Sequence, residues 1–158
     1  MENTVEVMEE KVQYIVVKAG VEQYGIDVKY VDNIVRIQKI TRVPKSLPYY
    51  KGVINLRGEI IPIMSLRKKF NIEDEEYTSK TRIIILKPEQ QELIGVIVDR
   101  VNEVVNFSES DIEKLSIDNK DELAKYISGV GKNNDNDTLV SILNIENLTA
   151  DGRDAQAQ

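Results

Sequence analysis

An ungapped internal repeat narrows what this chain can fold into more than any other feature. Gly25-Ile26-Asp27-Val28-Lys29-Tyr30-Val31-Asp32-Asn33-Ile34-Val35 aligns on Gly95-Val96-Ile97-Val98-Asp99-Arg100-Val101-Asn102-Glu103-Val104-Val105. The apolar positions coincide at Ile26/Val96, Val28/Val98, Val31/Val101, Ile34/Val104 and Val35/Val105. Flanking features recur in the same order. Tyr14 to Lys18 corresponds to Arg82 to Lys87 with a slightly different turn length, and Gly52-Val53 has an echo in Gly129-Val130. Ile61-Pro62-Ile63-Met64-Ser65-Leu66 has one in Val140-Ser141-Ile142-Leu143-Asn144-Ile145. Any two hairpins look somewhat alike, but this ordered series reads as one small β unit used twice, jointed at the acidic segment near residue 75.

The local pattern agrees. Tyr14-Ile15-Val16-Val17 ends at the turn signal Ala19-Gly20 and resumes at Gln23 to Val28, a hairpin rich in β-branched residues. Gly52 to Met64 reads as a second hairpin turning at Arg57-Gly58, and Leu66 to Phe70 as one helical turn capped by Ser65. Ser108-Glu109-Ser110-Asp111 has capping-box spacing and predicts a short helix to Leu115, with another over Asp121 to Ile127. The segments 1–11 and 150–158 are expected to be flexible tails. The expected organisation is one mainly β domain over 12–150. Within it lie two small barrel subdomains, about 12–72 and 80–148, whose ends are free to cross over. Units of about 60–70 residues are too small to stand alone, so each must pack on the other, leaving a groove between them.

Composition removes whole classes of chemistry. The 158 residues include no His and no Cys, which excludes disulfides, His- or Cys-ligated zinc, imidazole bases and a phosphohistidine. A formal net charge of −6 argues against nucleic acid and against an anionic membrane surface. Apolar runs such as Ile83 to Leu86 are strand-sized, and Met1-Glu2-Asn3-Thr4 lacks signal-peptide character, so a cytoplasmic location is expected. Glu73-Asp74-Glu75-Glu76 lacks the alternating ligands and fixed Gly of a calcium loop and reads as a solvated linker. Asp27 and Asp32 could form a carboxylate pair, but Asp27 lies on the polar phase of its strand. Gly52 to Gly58 lacks phosphate-loop spacing, and no nucleophile motif is present. No enzyme, metal or cofactor is implied. Arg57, beside Gly58 in a turn, is either simply solvated or a contact residue; Val28 and Val31 are either core or groove lining.

These residues together resemble the CheW-like family of chemotaxis coupling proteins. The resemblance rests on Gln13 to Val17, Glu22 to Val28, Ile40-Thr41-Arg42-Val43-Pro44 and the long string Gly52-Val53-Ile54-Asn55-Leu56-Arg57-Gly58-Glu59-Ile60-Ile61-Pro62-Ile63. Leu66-Arg67-Lys68-Lys69-Phe70 and Gly95-Val96-Ile97-Val98-Asp99 extend it, so it runs from about Val12 to Leu148. It implies two tandem five-stranded SH3-like barrels and a non-catalytic adaptor recruited to receptor arrays at the inner membrane. The implied partners are the cytoplasmic tips of methyl-accepting chemotaxis receptors and the regulatory domain of the histidine kinase CheA, with no direct membrane insertion. By the resemblance Arg57 supports receptor coupling, with Val28, Val31, Asn33 and Val98 at the receptor-facing groove. The loop-bearing faces meet the kinase, without particular residues being singled out. Members often carry Glu at Asn33, suited to pairing with the turn arginine; Asn33 could still hydrogen-bond Arg57, without the charge-assisted component. They also often carry Asp at Ser65, another capping residue. Competing readings are a piece of the kinase or of a receiver fusion, and an unrelated small-molecule carrier using the groove.

Overall fold

The structure is a computed structural model that describes residues 10–89, 91–115, 122–133 and 137–156. The first half supplies β1 (Lys11–Ala19), β2 (Glu22–Asp27), β3 (Val31–Arg36), β4 (Tyr50–Leu56), β5 (Glu59–Ser65) and α1 (Leu66–Lys69). The second supplies β6 (Arg82–Leu86), β7 (Ile94–Val98), β8 (Arg100–Ser108), β9 (Ile112–Lys114), β10 (Ile127–Asn133), β11 (Thr138–Leu143) and α2 (Ile145–Gln156). The strands form a six-stranded sheet, β8-β1-β2-β11-β10-β9, and a five-stranded sheet, β3-β6-β7-β5-β4. Each sheet therefore takes strands from both sides of the acidic segment.

The repeat explains this sorting. Strands β1, β2, β3, β4 and β5 correspond to β6, β7, β8, β10 and β11, and in those terms both sheets share one strand order. Each unit changes sheet after its second strand: β1 and β2 join β8 to β11, and β6 and β7 join β3, β4 and β5, so that β3 pairs with β6 and β8 with β1. The correspondence reaches single residues. Gly25 pairs with Ile142 and Gly95 with Ile63 in the two parallel contacts. A Cβ on Gly25 would lie 2.9 Å from the Ile142 side chain, and one on Gly95 2.5 Å from Ile63, so both glycines admit an isoleucine. The register also shifts at matched places. Residues Lys51 and Ser128 are bypassed in the hairpins, and Asp32 and Asn102 in the exchanged strands. The extra strand β9 has its counterpart in a single bridge, Thr41 to Val53.

Three apolar clusters follow. Tyr14, Val16, Val105, Phe107, Val140 and Ile142 fill one sheet; Ile54, Ile61, Ile63, Ile83, Ile85 and Ile97 fill the other. The central cluster between the sheets holds Ile15, Val17, Ile26, Ile84, Leu86, Val96 and Val98, among others. Successive strand residues point to opposite faces, so uninterrupted runs such as Ile83 to Leu86 serve two clusters at once.

Helix is minor, with local differences from expectation. Ser65 caps α1 as anticipated, its Oγ accepting from the Lys68 N–H at 3.2 Å. At Ser108 the backbone N–H donates to the Asp111 carboxylate at 2.8 Å, but only one 3-10 turn, Glu109–Asp111, forms. The chain then becomes β9, because pairing with β10 outweighs the local helical preference. Of the helix expected from Asp121, a 3-10 stretch over Glu122–Tyr126 is present, and Asp121 lies outside the described residues. Residues 1–9 and 157–158 of the expected tails also lie outside them. From Ile145 the chain is helical to Gln156, which the tail's composition did not suggest; buried Ile145, Leu148 and Thr149 seat the helix on the central cluster.

Candidate functional site

Asp27 ends β2 and caps a 3-10 turn, Val28–Tyr30, its carboxylate accepting from the Lys29 N–H at 2.9 Å. That turn carries the chain from one sheet to the other. Val28 and Val31 flank it half-buried against the central cluster, so each keeps one face in solvent at the seam. Asn33 lies on the half-buried phase of β3 opposite Ile85, and its Oδ1 accepts from the Ile34 N–H at 2.9 Å.

Arg57 and Gly58 form the whole loop between paired Leu56 and Glu59. Both have positive φ, 54° and 83°, the left-handed pair that a two-residue hairpin needs. Glycine adopts this freely, whereas arginine does so at a cost of about 1–2 kcal/mol. The Gly58 N–H donates to Asn55 Oδ1 at 3.1 Å, which closes the turn. The Arg57 side chain is exposed and makes no hydrogen bond or ion pair among the described residues; the contact with Asn33 that the sequence left open is not formed. Strand directions place this turn at the same end of the five-stranded sheet as the start of β3, where Val31 pairs with Leu86 and Leu86 with Ile94. Val98 does not join them. It lies at the opposite end of β7, paired with Arg82, and is 1% exposed inside the central cluster, because the exchange that exposes Val28 puts its repeat counterpart in the core.

A polar clamp holds the corner between β7 and β8. Arg67 on α1 donates from Nε and Nη2 to the two carboxylate oxygens of Asp99, both at 2.7 Å, and the Gly20 N–H donates to Asp99 Oδ2 at 2.9 Å. Burial alone would raise the Asp99 carboxyl, but the Arg67 and Gly20 hydrogen bonds outweigh it and hold the group below its ordinary value. Arg67 Nη1 also donates to the Glu73 carbonyl at 2.6 Å, and Glu75 lies 3.5 Å from Nη2. Lys51 pairs with Asp74. The acidic run is thus strapped to both α1 and β4. Buried Lys69 lies 3.8 Å from the Tyr49 ring centre and 4.6 Å from that of Tyr126, a cation–π contact joining the two sheets.

Some apolar residues read as pattern in the sequence turn out to face water. Ile60 is 63% exposed and its repeat counterpart Leu139 62%; Ile34 and its counterpart Val104 are 36% and 51% exposed. Each sheet thus leaves the same two positions uncovered. The alignment paired them, but alternation alone does not say which phase meets solvent on a strand flanked by two cores. The site as a whole offers an apolar seam, a protruding cation and matched apolar spots. These are means of docking.

The CheW-like domain model matches residues 13–153. The chain is 35% identical over 144 residues to the chemotaxis protein CheW of Helicobacter pylori, covering 89% of this chain and 82% of the relative. It is 46% identical over 99 residues to chemotaxis protein CheW of Bacillus subtilis, 63% of each chain. Its structure resembles the crystal structure of the scaffolding protein TtCheW from Thermoanaerobacter tengcongensis, with a TM-score of 0.78, 30% identity and 93% of each chain covered.

Proposed function

Because this chain belongs to the CheW-like domain family of non-catalytic chemotaxis scaffolds, we propose that it couples methyl-accepting receptor tips to the regulatory domain of the kinase CheA. The observation that carries this reading is Arg57. An arginine held at φ 54° with no partner of its own is an outlier the fold does not require, since glycine would fit the turn at lower cost. Val28, Val31 and Asn33 stand at or near the same end and complete a receptor-docking surface; Val98, buried at the opposite end of β7, is left out of it. The two sheets act as the two subdomains of one unit over 12–150. No helix among the described residues is long and apolar enough to cross a membrane. The protein meets the membrane through its receptors, on the cytoplasmic side.

Replacing Arg57 tests this with effects of opposite sign. Arg57→Gly relieves the backbone strain and should stabilise the fold by about 1 kcal/mol. Kinase stimulation in reconstituted receptor arrays should nonetheless fall about tenfold or more, as for a contact residue at the centre of an interface. Wild-type stimulation by that variant would remove Arg57 from the site. For the kinase contact, Ile60→Asp and Leu139→Asp should leave the melting temperature nearly unchanged, as exposed substitutions do. Pull-down of the kinase regulatory domain should weaken for at least one of them. Retention of full binding by both would move that contact elsewhere.

A further inference from the structure

The end of the five-stranded sheet opposite Arg57 has a feature that coupling at the Arg57 end leaves unused. Lys18 on β1 pairs directly with Arg100 on β8, and Arg36 on β3 directly with Arg82 on β6. Residues directly opposite on antiparallel strands share a face, and like charges there destabilise the pairing. Two such pairs occur in a chain of net charge −6. One member of each pair, Arg82 and Arg100, lines an open recess of about 380 Å³ together with Lys80, Val101 and Asn102.

Among the described residues, none of Lys18, Arg36, Lys80, Arg82 and Arg100 makes an ion pair. The Nε of Arg100 is buried without a hydrogen-bond partner. Arg82 Nη1 donates to the Ser79 carbonyl at 2.9 Å and the Thr81 carbonyl at 2.8 Å, which fixes its guanidinium while leaving its charge unpaired. The acids lining the adjoining recess are Glu22, Glu73, Asp74, Glu75 and Asp99. Asp99 and Glu75 are committed to Arg67 and Asp74 to Lys51, while Glu22 and Glu73 line the adjoining recess and not the one holding Arg82. The repeat does not demand Arg82, Arg100 or Arg36 either, although Lys18 matches Lys87. In the register of the two sheets, which matches Ile15 with Ile84, the counterpart of Arg82 is Gln13, that of Arg100 is Tyr30, and that of Arg36 is Asn106.

We infer that this recess binds a carboxylate-rich, extended segment of a protein partner. The cations are spread over two sheets and a loop, which suits a chain presenting several carboxylates better than a single ion. A nucleic acid duplex would extend past the recess over the rest of an acidic surface and be repelled there, which a short extended segment avoids. A membrane surface would be repelled in the same way, and the recess offers little apolar area to insert.

The test is an amide NMR titration of the whole protein with hexaglutamate at low salt, beside inorganic phosphate and a short single-stranded DNA. Hexaglutamate should shift the amides of Lys80 to Arg82 and Arg100 to Asn102. Binding should weaken about tenfold in Lys80→Gln/Arg82→Gln/Arg100→Gln, and with added salt. Arg100→Gln alone keeps the test available should the triple variant unfold. Without ligand it should melt no lower than wild type at low salt, since a repulsive pair is gone, and hexaglutamate should raise its melting temperature less than that of wild type. The inference is overturned if hexaglutamate leaves those amides unmoved, if the variants respond like wild type, or if phosphate or DNA at equal charge concentration matches it. Arg57 lies at the other end of the sheet, so failure here leaves the coupling reading untouched.

Discussion

Gly52→Ala is expected to lower the unfolding free energy by about 4 kcal/mol, as the sum of backbone strain and two lost hydrogen bonds. Gly52 has φ 135°, where L side chains rarely settle, and a Cβ there would lie 2.1 Å from the Thr41 carbonyl oxygen and 2.7 Å from its carbon. The obstacle is backbone and cannot rotate away. Relief requires parting the bridge in which Thr41 and Val53 exchange N–H···O bonds, both 2.8 Å. For a domain of this size the melting temperature should fall by roughly 10 °C. Gly58→Ala is the control: its φ is also positive, at 83°, but a Cβ there meets nothing within 4 Å. It should cost only about 1 kcal/mol. Denaturant titration of both variants decides the matter, and equal losses would show that strain alone, without the Thr41 contact, sets the cost.

Arg67→Ala should destabilise by about 2–3 kcal/mol, less than a fully buried pair because Asp99 keeps some solvent. The side chains are 14% and 27% exposed, so the bidentate pair is largely screened from water. Losing Arg67 also releases the Glu73 carbonyl and Glu75, and so frees one tie of the acidic strap. The same pair sets an acid limit. The folded Asp99 carboxyl titrates below its ordinary value, so its contribution is whole above about pH 4 and is lost as pH falls from there towards the folded value. In Asp99→Asn that portion of the pH dependence should vanish, giving a flatter stability profile below pH 5. An unchanged acid profile in that variant would remove Asp99 as its source.

Much of the fold was legible because duplication writes the same pattern twice. The match of Gly25 with Gly95, and of Ile63 with Ile142, was visible in the letters; so was Ser65 as a cap and Arg57-Gly58 as a turn. The helix expected after Ser108 failed because an intact capping signal specifies only a first turn, and β10 recruits the next residues into a strand. Helix α2 was missed because its stability comes from seating Ile145 and Leu148 on the core, not from the composition of residues 149–158. Arg67 and Asp99 stood in the string that carries the family resemblance. Their bond spans 32 positions, and spacing does not reveal such a partnership.

The sequence by itself determined the β unit, its repetition, the positions of its turns and the exclusion of thiol and imidazole chemistry, since these follow from residue type and local order. Only the tertiary structure decided which faces meet water. Exchange of the strands after the second makes the inward phase of one unit depend on the other. Hence Val98 is buried while its counterpart Val28 is half-exposed, and Ile60 and Leu139 emerge where alternation alone was silent.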